Sequence, residues 1–196
     1  MAPPYDVIPD AALTRYQAQS PYSVVRLTRP GRDYDGAART FDEWLDRGIL
    51  EPDPPSMYVH EVSFDGKRRR DLIAALRLRP YEDRVVLPHE RTHRGPKEDR
   101  LALVRATKVS LEPLWFVYAG RATGLRQIIE VVSRRNPAVT FTGPEETEHR
   151  LWVISDPALH AAVHAAFEER TVLIADGHHR YETALAHAEE IGRAHV

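Results

Sequence analysis

The chain has 196 residues, 42% hydrophobic and 29% charged, and 27 Lys and Arg against 29 Asp and Glu leave a formal charge of −2. A chain of this length buries a real core, in one large domain or two small ones, and this charge balance lacks the basic excess of a nucleic-acid binder. No cysteine is present, which excludes disulfides, thiolate zinc sites and a cysteine nucleophile and points to a reducing compartment. No apolar run approaches the ~20 residues that cross a bilayer, and residues 1–20 lack the basic start and apolar stretch of a signal peptide, so the expected location is cytoplasmic, with no membrane partner. Ten histidines and fifteen prolines are the compositional oddities.

Taken in chain order, Pro3 and Pro4 fix an extended start, and Asp10 is placed to cap a short helix ending near Gln19. Residues 22–28 (YSVVRLT) read as a strand on their β-branched content. Ala37, Phe41, Trp44 and Leu45 share one face of a helix that Gly48 stops, and residues 51–56 (EPDPPS) form a stiff connector. Residues 57–64 (MYVHEVSF) and 70–78 (RDLIAALRL) flank Asp65-Gly66, a turn dipeptide suited to a type I′ hairpin. The basic run 67–70 is then a charged hairpin end, with no function assigned.

Residues 85–87 predict a strand that delivers Pro88-His89-Glu90. After Gly95-Pro96 a helix is expected over about 97–107, with Leu101, Val104 and Lys108 along one side. Residues 114–119 (LWFVYA) suit a buried strand. Residues 125–135 suit a helix with Ile128, Ile129 and Val132 inward, and 139–141 and 151–154 two more strands. Asp156 and Pro157 are an N-cap and first helical residue for ALHAAVHAAFEE. Residues 171–175 (TVLIA) form a buried strand, followed by Asp176-Gly177-His178-His179-Arg180 and an alanine-rich helix.

This last unit carries the chemistry. A helix opening directly after a strand and a glycine leaves its first N–H groups unpaired at the positive end of the helix dipole, where anions bind. Gly177 admits a phosphate to the backbone without a Cβ in the way, while His178, His179 and Arg180 add donors. The alternative is that Asp176 merely caps the helix and the histidines are solvated. His89-Glu90-Arg91-Thr92-His93 matches the H-E-x-x-H zinc-hydrolase pattern, but Pro88 and Gly95-Pro96 leave room for little more than one helical turn, and no third ligand follows in a recognisable motif. No protein-held metal site is therefore assigned. Segment 3–7 reads as a rigid extended start packed by Tyr5 and Val7, while Lys97, Asp99 and Arg100 form a solvated first helical turn as the ordinary reading, with Lys97 or Arg100 facing a phosphate as the sharper one.

Taken together, APPYDVI at 2–8, HERTHRGPKEDR at 89–100 and IADGHHRYETAL at 174–185 resemble a bacterial and archaeal family labelled as a domain of unknown function. That family is similar to the archaeal free-serine kinase, within the superfamily of ParB nucleotide-binding domains and sulfiredoxin. The resemblance implies a single α+β domain over 1–196, the N-terminal half of a longer family protein. Its fold would be a ParB/sulfiredoxin-like core, a mixed sheet with flanking helices, carrying an insertion at about 110–170. It also implies roles. Glu90 deprotonates the acceptor hydroxyl, Asp176 engages the substrate, and Gly177, His178, His179 and Arg180 hold the phosphates of ADP or ATP with Mg²⁺. His89, Asp6, Lys97 and Arg100 complete the substrate side. The implied activity is phosphotransfer to a small hydroxyl metabolite, with free L-serine the first candidate. The alternative is a nucleotide-binding regulatory module without transfer, and more remotely a zinc hydrolase through His89, Glu90 and His93.

Overall fold

The computed structural model describes every residue except 1, 3, 91–93, 120–122, 144–145, 169 and 193–196, and the backbone alone at 94–96 and 123. In chain order its elements begin with α1 (Asp10–Ala18), α2 (Val25–Thr28), α3 (Tyr34–Asp46), β1 (Met57–Phe64), β2 (Lys67–Ile73), β3 (Val86–Leu87) and α4 (Arg94–Thr107). There follow β4 (Trp115–Tyr118), α5 (Thr123–Ser133), β5 (Val139–Thr142), β6 (Glu148–Ile154), α6 (Pro157–Phe167), β7 (Val172–Asp176) and α7 (His178–Glu190). The class is α+β as expected, with the strands divided between a four-stranded sheet of order β2-β1-β6-β5 and a three-stranded sheet of order β3-β7-β4.

The chain divides into two compact units. The first comprises Met1–Glu51, Leu78–Val117 and Val172–Val196, and the second Pro52–Arg77 and Tyr118–Thr171. The proline-rich connector at 51–56 falls where the chain first passes between them.

In the second unit the hairpin forms on the anticipated turn. Asp65 and Gly66 both take positive φ, 47° and 69°, so β1 and β2 pair in register with Phe64 opposite Lys67. The return strand ends at Ile73, five residues short of the expected limit at 78. On its other side β1 pairs antiparallel with β6, which pairs with β5. Alternation along β1 and β6 turns Val59, Trp152 and Ile154 to one face, where Val132 of α5 meets them in a buried cluster flanked by Met57, Leu72, Ile128, Ile129 and Leu159. Asp156 caps α6 as its spacing predicts, Oδ1 accepting from the Ala158 amide at 2.8 Å.

The first unit departs further from expectation. Residues 22–28 hold no strand: the stretch makes a turn and then the short helix α2, which packs on α3 and buries Val25, Leu27 and Thr28. Branched residues only fit a pleated surface when a partner strand exists, and here helical packing wins. Asp10 does not cap α1. Pro9 stands at that position, and Asp10 opens the helix and pairs with Arg29. α4 starts at Arg94 because glycine and proline are tolerated in a first helical turn. Its buried face is Arg100, Leu103 and Thr107 rather than the expected Leu101, Val104 and Lys108. β4 is largely exposed, with Trp115 at 46% and Val117 at 40%, because it lies at the edge of its sheet.

Candidate functional site

Two short strands build the site. β3 and β7 are parallel neighbours, Val86 opposite Val172 and Leu87 opposite Leu173, so both chains leave the sheet at the same end. β3 delivers Pro88-His89-Glu90 there, and β7 delivers Asp176 and Gly177. In parallel α/β arrangements the space beyond the carboxyl ends of the strands is where ligands collect. The turn into α7 is a single glycine: Gly177 has φ 96° and ψ 30°, a left-handed conformation that strains any residue with a Cβ. With glycine at the N-cap, the helix has no side-chain cap, and the capping role considered for Asp176 is not the one it fills.

His178, the first residue of α7, is 1% exposed, and its Nδ1 lies 2.9 Å from Glu90 Oε1. The two atoms are in ion-pair contact, although Nδ1 makes no hydrogen bond. The other ring nitrogen, Nε2, accepts a long 3.3 Å contact from the His89 amide. The His89 ring packs edge-on against that of His178 at 4.5 Å, and its Nδ1 lies 2.6 Å from the Ile174 carbonyl, to which it donates. Burial pushes the His178 imidazole below the usual histidine range, while the Glu90 carboxylate pulls the other way. One ligand atom from each of His89, Glu90 and His178 lies within 4.8 Å of the others.

Arg180 turns back over the glycine. Its guanidinium pairs with Asp176 and donates to the Pro113 carbonyl, leaving the side chain 11% exposed while Asp176 is 54% exposed. A Cβ placed on Gly177 would meet Arg180 Cζ at 3.1 Å, so glycine is required by the guanidinium above it as well as by its φ. Next to this pair sits the N-terminal segment. The Tyr5 amide donates to Glu112 Oε1 at 2.9 Å, and the Arg100 guanidinium stacks on the Tyr5 ring at 4.1 Å. Glu112 is pushed above the usual carboxylate range by burial, against the opposing pull of the Tyr5 amide, Arg180 and Arg100.

Among the anticipated residues, then, His89, Glu90, Asp176, Gly177, His178 and Arg180 come together at one end of the β3–β7 pair. Asp6 is exposed beside Tyr5, and its charge is felt at Tyr5 and Glu112. His179 is half-buried at the helix start. Lys97 is turned to Glu182 on α7 at 2.5 Å. Arg100 is 7% exposed, held by Asp99 at 2.5 Å and by the Thr28 carbonyl at 2.8 Å, and serves packing. His93 lies outside the described residues. Glu112 escaped the sequence reading because nothing in its surroundings, SLEP, forms a motif. Only the fold brings it to the Tyr5 amide and within electrostatic reach of Arg180.

The sequence profile of a family described as a protein of unknown function, DUF1015, matches residues 1–195. The chain belongs to that family. No curated protein and no solved structure matches it. Among the described residues, no DUF1015 helix here is long and apolar enough to cross a membrane.

Proposed function

We propose that this DUF1015 protein is a nucleotide-dependent phosphotransferase acting on a small hydroxyl metabolite, with free L-serine as the first acceptor to test. The observation that carries the reading is the 2.9 Å approach of Glu90 to His178, which sets a solvent-facing carboxylate against the start of α7, a helix with no side-chain cap. Such a helix start attracts anions, and a carboxylate at its rim is placed to take a proton.

The residue types suit a polyphosphate, with a glycine at the turn and the α7 amides beginning there, but Arg180 covers that glycine, its Cζ 3.1 Å from where a Cβ would stand, and has to swing aside for a phosphate to reach the backbone. The α7 amides would hold the phosphates, together with Arg180 once it is released from Asp176. When bound, ADP or ATP supplies the transferable phosphoryl group and Mg²⁺ offsets its charge. The chain's own part is positional and electrostatic. Glu90 accepts the proton of the acceptor hydroxyl, Asp176 orients that acceptor, and Arg180 offsets negative charge next to the reacting oxygen.

The test is to incubate the protein with ADP or ATP, Mg²⁺ and serine and assay for phosphoserine. General-base assistance is worth about 10²- to 10⁴-fold, so Glu90→Gln should lower turnover within that range while nucleotide affinity holds. Wild-type turnover in that variant removes Glu90 from the role. A second reading, a nucleotide-binding module that transfers nothing, is favoured by the engagement of Arg180 with Asp176 and the Pro113 carbonyl. Nucleotide binding without phosphoserine, or without phosphorylation of any small hydroxyl compound, would select it.

A further inference from the structure

We propose that His89, Glu90 and His178 form a binding site for one six-coordinate divalent transition ion such as Mn²⁺, Fe²⁺ or Co²⁺, held by His89 Nε2, Glu90 Oε1 and His178 Nδ1. The site differs from the H-E-x-x-H pattern in the sequence. It replaces the near neighbour His93 with a histidine 88 positions beyond Glu90, brought in by the parallel pairing of β3 with β7.

The surroundings prepare His89 directly, and His178 by way of a change of tautomer. The His89 ring donates Nδ1–H to the Ile174 carbonyl at 2.6 Å, which fixes the proton on that nitrogen and leaves the Nε2 lone pair directed elsewhere. Histidines that bind metals are commonly oriented by such a bond from the opposite nitrogen to a backbone carbonyl. His178 is 1% exposed, and its Nδ1 is a buried polar atom with no hydrogen bond, although a carboxylate oxygen stands 2.9 Å away. A buried nitrogen in that condition is costly without a partner, and an ion seated against both atoms supplies one. Taking the ion on Nδ1 moves the ring proton to Nε2, where it faces the His89 amide N–H across 3.3 Å, so binding also turns that amide away.

A single ion with metal–ligand bonds of about 2.1 Å holds adjacent ligand atoms about 3.0–3.4 Å apart, which the 2.9 Å between Glu90 Oε1 and His178 Nδ1 approaches. The donor set bears on the kind of ion. Two imidazoles and one carboxylate suit borderline first-row ions better than Mg²⁺, which prefers oxygen throughout. His89 and Glu90 are exposed, so the remaining coordination positions face solvent and are open to water or to an oxygen of an anionic ligand. Glu90 has two oxygens, and an ion on Oε1 leaves Oε2 for a proton. The ion site stands independently of phosphotransfer.

The experiment is a calorimetric and optical titration of the chelator-stripped full chain with Co²⁺, and with Mn²⁺ in parallel, without nucleotide. The expected result is one ion per chain with the weak visible absorption of six-coordinate cobalt. Glu90→Gln and His89→Ala, both at exposed positions, should each weaken binding more than about 10-fold, by analogy with the losses seen on disturbing metal shells. His178→Ala should do the same where circular dichroism shows it folded. No stoichiometric binding, or binding that Glu90→Gln and His89→Ala leave unchanged, overturns the site. So does intense tetrahedral cobalt absorption, or loss of binding in His93→Ala with retention in His178→Ala. Because nucleotide is absent, a negative titration leaves the phosphotransfer reading standing, and a negative phosphoserine assay leaves the ion site standing.

Discussion

The two units bury different things. In the second unit the apolar cluster of Val59, Val132, Trp152 and Ile154 dominates, and Glu61 is its buried charged residue, held by Arg70 at 2.6 Å with Arg150 at 3.6 Å. The first unit has an apolar core of its own, with Leu27, Trp44, Val86, Leu103 and Ile174, and adds to it the buried Thr28, Arg100, Thr107, His178 and Thr183 of α2, α4 and α7. Burying polar groups costs stability unless each finds a partner, so a fold that concentrates them has a use for them there. The contrast teaches where to look: the polar side chains that the first unit adds to its apolar core gather on its helices, and His178 at the start of α7 belongs to the candidate site.

The largest effect should come from the apolar side. Trp152→Ala removes a 4% exposed indole together with its 2.8 Å bond to the Arg135 carbonyl, and should cost about 3–5 kcal/mol in urea unfolding. A smaller effect is expected in the first unit from Tyr181→Phe. The Tyr181 hydroxyl accepts from the Arg79 amide at 3.0 Å and donates to the Arg79 carbonyl at 2.8 Å, so its removal strands both groups and should cost about 1–3 kcal/mol. Equal losses in the two variants would show that the first unit leans on its buried polar contacts as heavily as the second does on its apolar cluster.

The smallest effect concerns a polar pair on the second unit's sheet. His60 Nε2 lies 2.9 Å from His149 Nδ1, and His149 stacks on Phe141. Burial first, and then His149 and Arg69, hold His60 below its ordinary value of 6.5, against the pull of Asp71. The unfolded chain therefore takes up this proton more readily than the folded one. Its contribution to stability is complete above about pH 6.5 and declines as pH falls toward the depressed folded value. His60→Gln should flatten that part of the stability–pH curve. An unchanged slope would show that the pair does not report on the sheet.

Much of the second unit was legible in advance. Asp65-Gly66 marks its turn because few residues other than glycine and Asp or Asn accept the two positive φ angles a type I′ turn demands. Asp156-Pro157 marks the start of α6 for equally local reasons. Where local signals were weak the reading failed: residues 22–28 became a helical turn, and α4 buried a different face. The lone pairing that matters most, β3 with β7, involves two residues on each strand and has no signature of its own.

What the sequence by itself determined is the glycine turn, the helix that follows it and the residue types gathered around Asp176, because backbone stereochemistry and capping act over a few positions. Only the tertiary structure decided that Glu90 faces His178, that Arg180 folds over Gly177, and that Lys97 and Arg100 are committed to Glu182 and Asp99. Those partnerships join residues from separate elements through sheet pairing and helix packing, and geometry of that range is set by how the elements dock rather than by any local preference.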